Sequence, residues 1–497
     1  MDEINTKKRK RKFRMPTAFT ILFFIILFIV VLSWILGGAG LSYDKVLENG
    51  DVEKTKLVAV GVLDVFYSVM KGFVNKAEVI IFILALGGFI LVLMESKALD
   101  AFTQSLAKKF SKNSIWLIPI LMTFFSFCGS TYGMAEESLG FYMILIPLML
   151  STGFDKFTGL MIVLFGAGTG VLASTVNPFV IALAESSGNL KSGDGMAFRW
   201  ISWIVFTAVG VGYVMWYASR VKKNPQKSVT FSTYEGDKVF FLGEKQEEVP
   251  FNWKRILSLV VFAITFILMV LYLVGWDSLI KGADAKGAGD WMNKHIPWLT
   301  ALIPGFGSGY LVEVATFFLI AALFIGFLNW RGEKDFVERY IDGTKDLLGV
   351  CLIIATAAGV GVILEATQMN GFIIKTLSDG MGGMNKSGFV IVSFLIFLPL
   401  SFLIPSTSGF AAAIFPIWGP LATSVGAGSG SILAFSFASG VLNLFTPTSG
   451  VVMGSLGIAR IDYGKFIKGS WIYIALTAGL SIIMLGLGSL LPAGTIF

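Results

Sequence analysis

Long apolar runs alternate with short polar connections along the whole chain, and the runs have the length that a bilayer demands. A hydrocarbon layer of roughly 30 Å takes about 20 helical residues, and the run Ala18 to Leu36 meets that length without a charge. Four polar interruptions lie inside this pattern. Gly129-Ser130-Thr131 and Ala173-Ser174-Thr175-Val176-Asn177-Pro178 break two apolar runs in the first half; Pro405-Ser406-Thr407-Ser408-Gly409 and Thr446-Pro447-Thr448-Ser449-Gly450 break two in the second. Irregular backbone at membrane depth is tolerated only where protein or a watery cavity satisfies the freed N–H and C=O groups. The pattern therefore predicts a polar cavity built from two sets of breaks.

The two sets are copies of each other. Gly87 corresponds to Gly361 and Lys112 to Lys386 at an offset of 274, Ser130-Thr131 to Ser406-Thr407 at 276, and Pro147 and Thr175 to Pro420 and Thr448 at 273. With the basic run Lys7 to Arg14 held inside, nine crossings place 27 of the 39 basic residues inside and 12 outside, in line with the positive-inside rule. An odd number of crossings separates the copies, so the second is inverted. Inverted repeats with interrupted helices at the midplane mark secondary transporters. Ser114 to Phe127 spans 14 residues, about 20 Å as a helix, too short to cross before Gly129-Ser130 interrupts it. A re-entrant hairpin follows, with its tip at Gly129 to Gly133. Its mirror image has its tip at Pro405 to Gly409.

The expected fold is an all-α polytopic membrane protein with about 9 spans plus 2 hairpins. It comprises a basic cytoplasmic N-terminus (1–16) and a first half (17–218) with a hairpin at about 114–150 and a broken helix at about 158–184. A cytoplasmic loop (219–255) and linking spans (256–330) with an external loop at 277–297 come next. The second half (331–497) carries a hairpin at about 387–421 and a broken helix at about 430–456. Ala59 to Phe73 reads as an amphipathic interfacial helix, and the C-terminus falls outside.

Composition agrees with the pattern: 55% of residues are hydrophobic and 14% charged, with a mean hydropathy of +0.77, which excludes a soluble domain. The net charge of +7 sits beside spans, which favours contact with anionic lipid over nucleic acid. Cys128, Cys351 and the lone His295 exclude a disulfide framework, a metal cluster and a Ser-His-Asp triad. Nothing here calls for a cofactor or an enzyme.

The apolar cores hold almost no Lys or Arg, but carboxylates are present. Glu136 and Glu137 follow the first tip, Glu313 begins one span and Glu365 lies within another. An ionisable residue at membrane depth is by default a functional candidate, and its alternative is an interhelical hydrogen-bonding partner. The glutamates point to a cationic ligand or a coupling proton, while helix N-termini beyond each break can hold a carboxylate. An amino acid satisfies both. A channel predicts a continuous pore lined by rings of like residues, which inverted halves do not suggest.

Gly133-Met134-Ala135-Glu136-Glu137, Asn177-Pro178, the run Tyr217-Ala218-Ser219-Arg220-Val221-Lys222-Lys223-Asn224-Pro225, and Pro447-Thr448-Ser449 resemble the YfcC-like family over nearly the full length of the chain. That family is related to the C4-dicarboxylate carrier C group of the ion transporter superfamily, and it includes proteins assigned as basic amino acid or arginine/ornithine antiporters. The resemblance implies a plasma membrane homodimer with scaffold and transport domains and an elevator-like motion. It implies small-molecule binding at Ser130, Thr131, Ser174, Thr175, Asn177, Ser406, Thr407, Ser408, Thr446, Thr448 and Ser449, beside Gly133, Glu136 and Glu137. A C4-dicarboxylate or other carboxylate is the alternative substrate. The tips read Gly-Ser-Thr and Ser-Thr-Ser where the superfamily commonly has Ser-Asn-Thr, which leaves the coupling ion, proton or sodium, open.

Overall fold

The computed structural model describes residues 18–46, 52–109, 113–191, 193–243, 249–273, 285–298, 300–303, 311–381, 383–404 and 406–491. The basic N-terminus 1–16, Pro405 and the first part of the 277–297 loop lie outside the described residues. The first half contains α1 (Ala18–Gly38), strands β1 (Ser42–Val46) and β2 (Val52–Lys56), α2 (Asp64–Asn75), α3 (Ala77–Glu95), α4 (Ala98–Lys109), α5 (Leu117–Tyr132), α6 (Tyr142–Ser151), α7 (Lys156–Leu172), α8 (Leu183–Ser187) and α9 (Met196–Lys223). Then come α10 (Tyr234–Leu242), α11 (Trp253–Leu273), α12 (Ala285–His295) and α13 (Leu311–Leu328). The second half holds α14 (Glu333–Ala366), α15 (Met369–Asp379), α16 (Lys386–Leu403), α17 (Thr407–Ser424), α18 (Gly428–Asn443), α19 (Gly450–Ala459) and α20 (Tyr463–Ser489).

Among the described residues, eight helices are long and apolar enough to cross a membrane. Six of them, α1, α3, α9, α13, α14 and α20, coincide with expected crossings. The other two, α5 with its lead-in turn and the 18-residue α16, lie where first hairpin arms are expected, and against that expectation each is long enough to cross, because α5 runs on past Gly129-Ser130. The interrupted pairs α7/α8 and α18/α19 are each too short as single helices, which is why length alone does not count them.

Packing follows the repeat. The arm α5 lies along α7 as α16 lies along α18, and the halves interlock, α17 against α8 and α6 against α19. A second group forms where α3 and α2 pack on α14. Small residues set these approaches. A Cβ at Gly87 would stand 2.4 Å from the Gly343 carbonyl oxygen, and one at Gly343 would stand 2.3 Å from that of Gly87. Backbones therefore touch where α3 crosses α14.

Four expectations change. Gly129-Ser130 does not end the first arm: α5 continues to Tyr132, and a Cβ at Gly129 would lie 2.2 Å from the Ala167 carbonyl, so this glycine admits α7 and the turn falls at Gly133, with φ +83°. The fold is not wholly helical, because β1 and β2 pair as an antiparallel ribbon. The interfacial helix starts at Asp64, later than Ala59, and buries Val65, Ser68, Val69 and Gly72. The 219–255 connection is largely folded: α9 runs on to Lys223 and α10 follows.

That folded connection gives the Tyr217 to Pro225 run a role. Asp155 caps α7 by accepting from the Thr158 amide at 2.8 Å, and its other oxygen accepts from the Tyr217 hydroxyl at 2.8 Å and the Ser228 hydroxyl at 2.5 Å. Beside it, Lys156 is 2% exposed and donates to Asp237 of α10 at 2.7 Å and to the carbonyl of Arg460, just past α19, at 2.8 Å. The connection thus ties the start of α7 to the end of α19.

Removing one member of a buried ion pair costs about 3–5 kcal/mol, whereas replacing both by apolar groups is often neutral. Lys156→Met is therefore expected to lower the unfolding temperature in detergent well below wild type. Combining it with Asp237→Leu should recover most of that loss, and strictly additive losses would contradict the buried pair.

Candidate functional site

The two sets of breaks meet at a cavity of about 880 Å³. From the first half come the tip 133–138, Asn177, Phe179 and Val180; from the second come Ser406 to Gly409, Asn443 and Thr448 to Val451. α14 supplies a wall that includes Glu365, and Tyr43 of the ribbon, Asn75 and Lys76 complete the lining. The tip forms because Gly133 turns the chain out of α5, after which Glu136–Phe141 makes a 3₁₀ segment leading into α6.

In the first repeat, side chains brace the freed backbone. Ser130 donates to the Ala173 carbonyl at 3.0 Å, and its own carbonyl accepts from the Thr175 amide at 3.0 Å. Asn177 spans the gap: its amide nitrogen reaches the Ser174 hydroxyl at 3.1 Å, while its carbonyl oxygen accepts from the Phe179 amide at 2.9 Å. The chain then enters the π-helical turn Pro178–Ala182 and continues as α8.

In the second repeat, helix starts face the cavity. Ser406 caps α17 by accepting from the Gly409 amide at 3.3 Å, and Ser449 caps α19 by accepting from the Val452 amide at 3.4 Å. Thr407 and Ser408 stand in the first turn of α17, and Asn443 donates to the Thr407 hydroxyl at 3.1 Å, joining tip to broken helix. Two helix N-termini aimed at one cavity favour an anionic group there.

Carboxylates oppose them. Glu136, Glu137 and Glu365 line the cavity, and Lys76 is the cation among the described lining residues. Glu137 is 8% exposed and accepts from the Ala135 amide at 2.9 Å, which fixes its carboxylate at the tip.

The structure thus brings Gly133, Glu136, Glu137, Asn177, Ser406, Thr407, Ser408, Thr448 and Ser449 to one cavity. It places Ser130, Ser174, Thr175 and Thr446 in buried positions behind the lining, where Thr446 pairs with the Thr448 hydroxyl at 2.7 Å. The Thr131 hydroxyl bonds back to Phe127 of its own helix at 2.8 Å. Sequence reasoning missed Asn443, whose signal was an amide inside an apolar run. It also missed Tyr43, Asn75, Lys76 and Gln368, which reach the cavity from distant segments and carry no local signal.

It overlooked a buried cation as well. Arg199 is 1% exposed, pairs with Glu185 at 2.9 Å, and donates to the carbonyls of Thr175 at 3.1 Å and Asp194 at 2.6 Å. As the fourth residue of α9, it reads in sequence as an ordinary flanking charge.

Interrupted helices and interhelical turns that converge on a polar cavity within a multi-pass helical membrane protein define a membrane transporter. The comparison with known families agrees and is more specific. The chain belongs to the family DcuC, described as C4-dicarboxylate anaerobic carrier, whose model matches residues 15–488. It is 26% identical over 517 aligned residues to an uncharacterized protein of Haemophilus influenzae, covering 94% of this chain and 95% of that one. It is 27% identical over 406 residues to the Escherichia coli protein named "Putative basic amino acid antiporter YfcC", covering 78% of this chain and 73% of that one. Similar solved structures include the YdaH transporter of Alcanivorax borkumensis, with 17% identity, a TM-score of 0.47, and 95% and 98% of the two chains covered. Another is MtrF of Neisseria gonorrhoeae, with 16% identity, a TM-score of 0.45, and 97% of each chain covered.

Leaving a buried polar group unsatisfied costs about 1–3 kcal/mol. Ser130→Ala, which strips a donor from the Ala173 carbonyl, is expected to destabilise by that amount in detergent melts. Thr131→Ala, whose hydroxyl serves only its own helix, should stay within about 0.5 kcal/mol of wild type.

Proposed function

We propose that the protein is a plasma membrane exchanger of basic amino acids such as arginine and ornithine. The observation that carries this reading is the charge of the cavity: Glu136, Glu137 and Glu365 against Lys76, with the capped starts of α17 and α19 on the same lining. In this reading the helix starts receive the α-carboxylate and the glutamates hold the guanidinium or ammonium through charge-assisted hydrogen bonds. The cavity volume of about 880 Å³ lies within the range of small-molecule sites, roughly 300–1,000 Å³. The printed name of the Escherichia coli relative supports the same substrate class.

The motion we propose is elevator-like and takes place in a homodimer: the interlocked repeats slide against the group built on α14. Support comes from the seam between them, where α19 presents Gly450, Gly454 and Gly457 to Ile354 and Val350 of α14. The family description favours C4-dicarboxylates as the second reading. A dianion would meet the three glutamates, and the unfavourable charge argues against it.

Counterflow in proteoliposomes tests the proposal. Arginine uptake should saturate and be driven by internal ornithine, and succinate should not compete. Succinate exchange without arginine exchange would overturn the reading. Losing a hydrogen bond to a charged group costs about 1.5–3 kcal/mol, so Glu136→Gln and Glu137→Gln should each weaken apparent arginine affinity by roughly 10- to 150-fold. Glu313→Gln, outside the described cavity lining, should change it much less.

A further inference from the structure

Arg199 and Glu185 form a buried ion pair that the binding scheme above does not use. Both are nearly inaccessible, at 1% and 6% exposure. Stability alone is a weak reason for such a pair, since the cost of desolvating two charges commonly cancels their attraction. The second repeat makes the point directly. At the 273-residue offset, Ile458 and Ile472 stand where Glu185 and Arg199 would be, and the second break holds without them. Near that break the donor to a freed carbonyl is neutral: the Tyr463 hydroxyl donates to the Phe445 carbonyl, the counterpart of Leu172, at 2.9 Å.

The guanidinium sits on a set of oxygens. It reaches the Thr175 carbonyl inside the first break at 3.1 Å, the Asp194 carbonyl at 2.6 Å and a Glu185 carboxylate oxygen at 2.9 Å. The Asp194 carbonyl also accepts from Ser429 at the start of α18, so the second repeat closes on the same point. Unwound carbonyls and a carboxylate are the ligands by which broken helices hold a coupling cation, and oxygen donors suit hard ions. Here the chain's own cation fills that place.

We infer that Arg199 is a built-in cation that takes the position of a coupling metal ion at the first helix break, so that transport proceeds without sodium. The inference rests on the chain being a carrier, not on which substrate it carries. Glu185, Thr175 and Asp194 are then positioning groups, and the fixed charge keeps the first break closed whether or not substrate is bound.

The prediction is a gain of ion dependence. Arg199→Gln leaves the Glu185 carboxylate and two carbonyls facing a vacated space. The variant should melt earlier than wild type in choline chloride and recover, saturably, as sodium chloride replaces choline at constant ionic strength. Wild type should show no sodium-specific rise. Arg199→Gln combined with Glu185→Gln removes the carboxylate and should lose the sodium response, a result that mere salt stabilisation would not give. Equal melting of Arg199→Gln in choline and sodium would overturn the inference.

Should Arg199→Gln fail to fold, wild type and Arg199→Lys decide. Both keep the charge, and both should exchange substrate equally in sodium and in choline. A saturable sodium requirement in wild type would overturn the inference. Because the melting arm contains no substrate, its failure is distinct from failure of the basic amino acid assignment, which counterflow alone reads.

Discussion

A helix that stops inside a membrane must hand its freed backbone groups to something other than water, and the organisation of this protein follows from how it does so. In the first repeat the groups are passed to neighbouring protein: Ser130, Thr175 and Arg199 close a network behind the cavity, joined from the lining by Asn177. In the second, the helix starts capped by Ser406 and Ser449 lie on the cavity lining. Two copies of one plan have thereby been given different work. One copy braces its break with protein and lines the cavity with its acidic tip, and the other lines it with capped helix starts.

This division explains how a site with several acidic side chains also presents features attractive to anions. Positive potential comes from backbone at the ends of α17 and α19, and negative potential from side chains at the first tip and on α14. Neither source neutralises the other, because each is anchored on a separate element.

Much of this was legible in the chain because membrane-length runs, polar breaks and a constant offset are coarse signals that survive local ambiguity. The cavity-lining residues Asn177, Ser406 to Ser408, Thr448 and Ser449 were found from their position in breaks. Gly129 shows the limit: a glycine that ends a helix and one that admits a neighbouring helix look alike in sequence, and what tells them apart is the Ala167 carbonyl, which stands where a side chain would begin. The strands β1 and β2 are short and rich in charged residues, so no apolar alternation marks their pairing in the sequence. Arg199 stayed hidden for a related reason, because its burial depends on α8 folding back to bring Glu185 beside it.

The bond from Lys156 to the Arg460 carbonyl closes a loop of 304 residues. During synthesis the amine at the start of α7 must wait for α10 to offer Asp237, and much longer for the end of α19. Contacts of such sequence separation form late. A chain halted before residue 460 keeps this cation short of one acceptor, and one halted before residue 407 also leaves α6 and α8 without the second-half helices that pack on them. The latch therefore marks completion: it sets only when both repeats have been inserted and have met, so a half-assembled carrier differs chemically from a finished one at a single buried amine.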